Sequence, residues 1–335
     1  MKKLVNLALS GGGIRGIAHV GAYDALIQKG YEIGNVCGVS AGALVGTLVA
    51  AGYSVDELKN HIYNFPFEQI ILKEITRRYP IINDYIYYRN KFRMSGMWRF
   101  LNRGKKMDES LEYKGRERNI FSNIIKYSQE DYIMDSEYLE EWVYNMLKHK
   151  GIYTFEDLQG GLSNKNNKLG YKVKMTAVDV TRGKIVVLPD DLGFYGIKSD
   201  QFEVYRAVMM TMAVPFVFRP IKLIKKDDLG QNKTYYLVDG GVLDNFPVWL
   251  VGGYNDIPVF GLKIYDRDKN KILNPLNILK TFVSFVHDIG KPCVNISNLK
   301  VQNIDVTGVD FLDFSLNSKQ KLLLYESGKK SGMKF

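Results

Sequence analysis

The chain is poor in the residues on which several functional classes depend. It has two cysteines, Cys37 and Cys293, among 335 residues. Two thiols cannot build a disulfide framework, and their number points to reduced cysteines in a cytoplasmic-type protein. Cys37 lies in a strand-like run just before Ser40, so its expected place is the core. Histidine is equally scarce: His19, His61, His149 and His287 are the four. Neither they nor the cysteines and acids cluster at metal-ligand spacing, so no metal and no other cofactor is expected. The longest apolar runs, near 43–51 and 207–218, fall well below the ~20 residues of a spanning helix. The opening Met1-Lys2-Lys3 runs into a strand-like stretch too short for the apolar centre of a signal peptide. The expectation is a cytoplasmic protein, soluble or peripheral at a membrane, with export by a route that leaves no readable signal still open. There is no internal repeat and no low-complexity tract.

What is present supports a sizeable folded unit. A chain that is 46% hydrophobic and 24% charged can bury a core. Its length suits one large α/β domain, read here as a single unit over 1–335. The formal net charge is +10. Residues 72–118 hold thirteen Lys or Arg against six Asp or Glu, a bias that favours an anionic partner. The surrounding stretch, about 65–135, has mixed periodicity and is read as a basic helical insertion. Within it Lys91, Arg93, Arg99, Arg103, Lys105 and Lys106 alternate with Phe92, Met94, Met97, Trp98, Phe100 and Leu101. Such a mixture suits an anionic headgroup layer, and it also suits a solvated helix with an apolar inner face. Nucleic-acid binders use the same residue types, but no nucleic-acid motif accompanies them, so no nucleic-acid partner is expected.

The apolar patterning alternates strand and helix. Strands are expected at 4–9, 35–39, 171–178, 184–188, 235–238 and 258–264. Helices are expected at 16–30, 41–51, from the capping-box sequence Ser54-Val55-Asp56-Glu57 onward, and at 136–150, 201–212, 276–287 and 318–327. The helix at 136–150 carries Leu139, Trp142, Val143, Met146 and Leu147 on one side. This alternation predicts an α/β fold: a central, mostly parallel sheet in a three-layer α/β/α arrangement.

Three glycine-containing motifs then stand in order. Gly38-Val39-Ser40-Ala41-Gly42 follows a strand and precedes a small-residue helix. That is the setting of a nucleophile elbow, where serine sits on a strained turn and small flanking residues let the backbone fold. Gly11-Gly12-Gly13-Ile14-Arg15-Gly16 follows the first strand. Unshielded glycine amides can stabilise the oxyanion of a tetrahedral intermediate. Gly11, Gly13 and Gly16 also satisfy a dinucleotide-binding fingerprint, although the second strand then lacks the acidic residue that would hold a ribose. Two roles are open to Arg15, meeting a substrate phosphate or bracing the loop through an ion pair. Asp239-Gly240-Gly241 ends a strand, placing a carboxylate at a sheet edge, where it can act as a base or merely cap a turn. Ser40, Asp239 and His287 follow the serine–acid–histidine order of a triad esterase, so a histidine-dependent carboxylesterase stays open as well.

These motifs, in this order, resemble those of the patatin-like phospholipase family. So do Ala213-Val214-Pro215-Phe216-Val217-Phe218-Arg219-Pro220 and Val238-Asp239-Gly240-Gly241-Val242-Leu243-Asp244-Asn245-Phe246-Pro247. The resemblance spans about 4–332 and is weakest over 65–135. It implies a patatin-like fold and a serine lipid acyl hydrolase of phospholipase A or lysophospholipase type. It implies a Ser40–Asp239 dyad without histidine, with Gly11, Gly12 and Gly13 as oxyanion donors. The implied partners are a phospholipid or other acyl-ester lipid and an anionic membrane surface.

Overall fold

The computed structural model describes residues 3–67, 136–215, 217–227, 229–253, 257–267, 296, 298–309, 311 and 313–335. Strand β1 (Lys3–Leu9) is buried from Val5 onward. A single helical turn (Gly13–Gly16) and helix α1 (Ile17–Gln28) follow the glycine loop. Strand β2 (Tyr31–Gly38), helix α2 (Ala41–Ala50) and helix α3 (Val55–Asn64) come next. The expected capping box is present: Ser54 Oγ accepts from the Glu57 N–H and the Glu57 carboxylate accepts from the Ser54 N–H. The expected basic insertion lies outside the described residues from 68 to 135. Helix α4 (Glu137–His149) buries Leu139, Val143, Met146 and Leu147 of the stripe read from the spacing, and its fifth member, Trp142, is partly buried.

Strands β3 (Val173–Asp179) and β4 (Lys184–Leu188) form a hairpin. Helix α5 (Val204–Met212) starts later than expected because Glu203, in extended conformation, is its N-cap. Strands β5 (Ile221–Lys226), β6 (Asn232–Asp239), β7 (Val259–Tyr265) and β8 (Leu299–Asp305) and helix α6 (Ser318–Gly332) complete the described chain. The expected helix at 276–287, and His287 with it, lies outside the described residues.

The strands make one sheet in the order β5-β6-β3-β2-β1-β7-β8, with β4 also paired to β3. From β3 to β8 the neighbours are parallel. β4, β6 and β5 add antiparallel pairings at one side, with short turns joining β3 to β4 and β5 to β6. The sheet is therefore mixed and mostly parallel, and helices flank it. Alternate residues divide two faces. Val5, Leu7, Leu9 and Val36 join residues of all six described helices in one core, while Ala8 and Cys37 pack with Leu250, Val251 and Val259. Burial pushes the Cys37 thiol far up, as befits a core residue.

Helix α6 lies directly on α1. A Cβ on Gly328 would strike the Ala18 carbonyl oxygen, and one on Gly21 the Tyr325 carbonyl oxygen. Asp24 fixes the register, accepting from Lys329 Nζ at 2.8 Å and from the Tyr325 hydroxyl at 2.8 Å. No described helix is long and apolar enough to cross a membrane.

Candidate active site

The site lies where β1, β2 and β6 end. β2 stops at Gly38 and α2 begins at Ala41, leaving Ser40 on the turn between them. Ser40 has φ 54° and ψ −128°, and among the described residues no other non-glycine has positive φ. A non-glycine held in such a region carries on the order of 1–3 kcal/mol of strain, so its surroundings must over-determine it. They do. The Ser40 N–H donates to Thr211 Oγ1 at 2.9 Å, and the Thr211 hydroxyl donates to the Thr176 carbonyl at 2.6 Å. The Val39 carbonyl accepts from Gly42 N–H at 3.0 Å and Ala43 N–H at 3.3 Å. A Cβ on Gly42 would stand 2.5 Å from the carbonyl oxygens of Leu9 and Ser10, so this turn admits only glycine there. Thr211 escaped the sequence reading. Its one signal is a lone hydroxyl within the apolar run of α5.

Asp239 is the last residue of β6. Its N–H donates to the Ala213 carbonyl at 2.8 Å, and its Oδ1 accepts from the Gly241 N–H at 2.7 Å. The Ser40 hydroxyl lies near enough to the Asp239 carboxyl group to favour its ionised form. Both are nearly sealed from solvent, Ser40 6% and Asp239 4% exposed. Burial raises the Asp239 pKa to about 7, against the opposing influence of the Ser40 hydroxyl and the Gly241 N–H.

The glycine loop hangs beside this pair. A Cβ on Gly11 would stand 3.4 Å from Ser40 Cβ. The Gly11 N–H donates to the Asn245 carbonyl at 3.2 Å, and the Ile14 N–H to the Phe311 carbonyl at 3.1 Å. Gly13 has φ +58°, and the Phe311 carbonyl occupies the space of a side chain. Gly12 and Gly13 have no acceptor for their backbone N–H groups among the described residues. Gly11, read from the sequence as a further donor, has its N–H committed. His19, fully buried in α1, hydrogen-bonds the Ser10 carbonyl through Nε2 at 2.8 Å. A carbonyl only accepts, so Nε2 carries the proton. Burial lowers the His19 pKa to about 4 and keeps the ring neutral. Ser10 Oγ accepts from the Ile264 N–H at 2.9 Å. Neither His19 nor Asn245 was read from the sequence as part of the site.

Arg15 braces the loop. Its Nη1 lies 3.2 Å from Asp266 Oδ2, and its Nε donates to the Gly12 carbonyl at 3.4 Å. The other described histidines stand elsewhere: His61 is edge-on to Tyr53 with centroids 5.7 Å apart, and His149 is exposed at the end of α4.

Ser40 opens onto a cavity that is partly open to solvent. Its walls are apolar and include Ile17, Leu44, Ile62, Phe65, Trp142 and Phe218. Ser40 supplies the only hydroxyl among the described lining residues. An apolar cavity with a single hydroxyl in its described lining has the character of a site for a hydrocarbon chain.

Comparison with known proteins bears on this arrangement. The sequence model described as "Patatin-like phospholipase" matches residues 7–251. The uncharacterised protein YqhO of Bacillus subtilis is 33% identical over 328 residues, covering 96% of this chain and 94% of YqhO. The triacylglycerol lipase ptl3 of Schizosaccharomyces pombe is 22% identical over 90% of this chain and 51% of its own. Among solved structures, VipD from Legionella pneumophila superposes with a TM-score of 0.52 at 17% identity. That match covers 98% of this chain and 66% of VipD, a likeness of fold.

Proposed function

The chain belongs to the patatin-like phospholipase family, and on that premise we propose that it is a serine lipid acyl hydrolase of phospholipase A or lysophospholipase type. The observation that carries this reading is the pairing of two buried side chains, Ser40 on its strained elbow and Asp239 beside it, with Ser40 lining an apolar cavity. In this reading an acyl chain fills the cavity and presents its ester carbonyl to Ser40. The Ser40 oxygen attacks the carbonyl carbon, and its proton passes to Asp239. The negative charge that develops on the carbonyl oxygen is met by the N–H groups of Gly12 and Gly13. As the intermediate collapses, the bond to the leaving alcohol breaks and the proton on Asp239 goes to that alcohol. Water then attacks the acyl-serine, with Asp239 taking its proton; the bond to Ser40 breaks, Asp239 returns the proton to the Ser40 oxygen, and the fatty acid leaves.

A free aspartate, with a pKa of about 3.9, is a weak base at neutral pH. Burial brings this one to about 7, close to where general-base catalysis is most effective. The dinucleotide reading of the Gly11–Gly16 loop loses its basis with the family assignment, and β2 ends in the serine elbow rather than an acid. Arg15, held by Asp266, is proposed to keep the loop in shape and, where the substrate carries a phosphate, to lie beside it. The family implies a lipid substrate; an anionic membrane surface as its setting is part of the proposal. The direct test is labelling with a fluorophosphonate that phosphonylates activated serines. A mass increase on the peptide containing Ser40, absent in Ser40→Ala, is expected. Labelling elsewhere, or none, contradicts the reading.

A further inference from the structure

The β5–β6 hairpin exposes features that neither the core nor the dyad requires. Ile224 is 61% and Leu229 82% exposed, large values for aliphatic side chains on a short hairpin. Lys222 and Lys226 are exposed on the same face of the ladder as Ile224, and Lys233 is exposed on the other face beside Lys225; among the described residues none of Lys222, Lys226 and Lys233 has an ion-pair partner. Lys225 and Lys233 stand directly opposite each other in the ladder, an unfavourable pairing of like charges. Lys225 is partly buried against Phe194, its Nζ 4.3 Å from the ring centroid, with the Arg182 guanidinium 3.6 Å from the same centroid. Against these lysines the hairpin sets Asp227 and Asp228, and Asp227 Oδ1 is occupied by the Leu229 and Gln231 N–H groups.

Register fixes where the hairpin points. Gly38 pairs with Met175, and Asp239 with Ala177, so Asp239 stands level with the turn that holds Ser40. β6 leads away from that level in the direction in which β2 leads into Ser40. With 8 residues in β6, at about 3.4 Å each, its far end stands roughly 24 Å beyond the catalytic level. The hairpin is also continuous with the cavity wall: Phe218 lines it, and Arg219-Pro220 join Phe218 to β5.

The geometry points to the β5–β6 hairpin as a docking element for an anionic phospholipid surface, set beside the acyl cavity. The inference deepens the lipid-hydrolase reading and rests on it for its purpose. Lysines attract the headgroup layer, and Ile224 and Leu229 enter its apolar margin. A lipid surface is favoured over a second copy of the chain because lysines along β5 oppose edge-to-edge strand pairing.

Vesicle binding tests this without catalysis. Ser40→Ala protein is sedimented with vesicles of phosphatidylcholine alone or mixed with phosphatidylglycerol, alongside versions carrying Lys222→Gln, Lys226→Gln and Lys233→Gln together, or Leu229→Ser alone. The expected result is binding to the anionic vesicles that weakens with salt, at least tenfold weaker in the triple variant and measurably weaker with Leu229→Ser. In the Ser40-containing protein the same hairpin substitutions slow vesicle hydrolysis but leave hydrolysis of a soluble short-chain ester unchanged, which also shows that the fold survives. Undiminished vesicle binding in both variants overturns the inference, as does a hairpin-dependent dimer with no change in vesicle binding. If the wild type hydrolyses no ester at all, the hydrolase reading fails, while the sedimentation result still decides the hairpin.

Discussion

Asn245 holds Gly11 at both of its backbone polar groups. Its carbonyl accepts from the Gly11 N–H at 3.2 Å, and its Nδ2 donates to the Gly11 carbonyl at 3.5 Å. Its Oδ1 lies in the space of a side chain on Gly11 and 2.8 Å from that of one on Gly241. Through its backbone carbonyl and its side chain, one residue thus links the glycine loop to the turn that hydrogen-bonds Asp239. Asn245→Ala is expected to lower kcat by about tenfold to a hundredfold with little change in KM, short of the ~10²–10³ for losing an oxyanion donor itself. Steady-state kinetics on a soluble ester check this. A rise in KM at unchanged kcat contradicts the positioning role.

Asp239 sets the pH response. With its pKa at about 7, kcat/KM is expected to rise with pH through about 7 as the carboxylate ionises, then level off. Stability runs the other way. The folded state holds a proton that the unfolded chain, with an aspartate pKa near 3.8, has released. Stability therefore falls as pH rises from about 4 through about 7. Asp239→Asn removes that penalty, so it should be inactive yet melt higher than wild type above pH 7, with the gap closing toward pH 4. Thermal melts across this range are the check.

Much of this was legible in the sequence, and the misses have physical causes. The strand–turn–helix setting of Ser40, the capping box at Ser54 and the buried stripe of α4 follow from period and local chemistry. The sheet's two edge strands were missed: β5 reads Ile-Lys-Leu-Ile-Lys-Lys and β8 Leu-Lys-Val-Gln-Asn-Ile-Asp, because edge strands tolerate charge that hides their alternation. Ser40 and Asp239 announced themselves through glycine motifs. Thr211, His19 and Asn245 did not, since each acts through a backbone group brought near only by the fold.

Ser40 bears strain for its position. Ser40→Gly, which accepts φ 54° without a Cβ penalty, is expected to stabilise the fold by about 1 kcal/mol while losing all ester turnover. Denaturant unfolding measures it, and a clearly destabilised variant contradicts the strain.

His19 supports the loop without entering the chemistry. His19→Leu leaves the buried Ser10 carbonyl without its donor and should cost about 1–3 kcal/mol of stability as well as lowering kcat. His19→Gln, which restores an N–H donor, should recover part of both. Because His19 stays neutral down to about pH 4, it contributes no step to the pH–rate profile between pH 5 and 9.

The most direct test of the dyad is fatty-acid release from phospholipid vesicles by the wild type and by Ser40→Ala, Asp239→Ala and His287→Ala. The account predicts turnover by the wild type, loss of at least about a thousandfold in the first two variants, and near-wild-type activity in the third. Loss of activity in His287→Ala with its fold intact, or retained activity in Asp239→Ala, contradicts it.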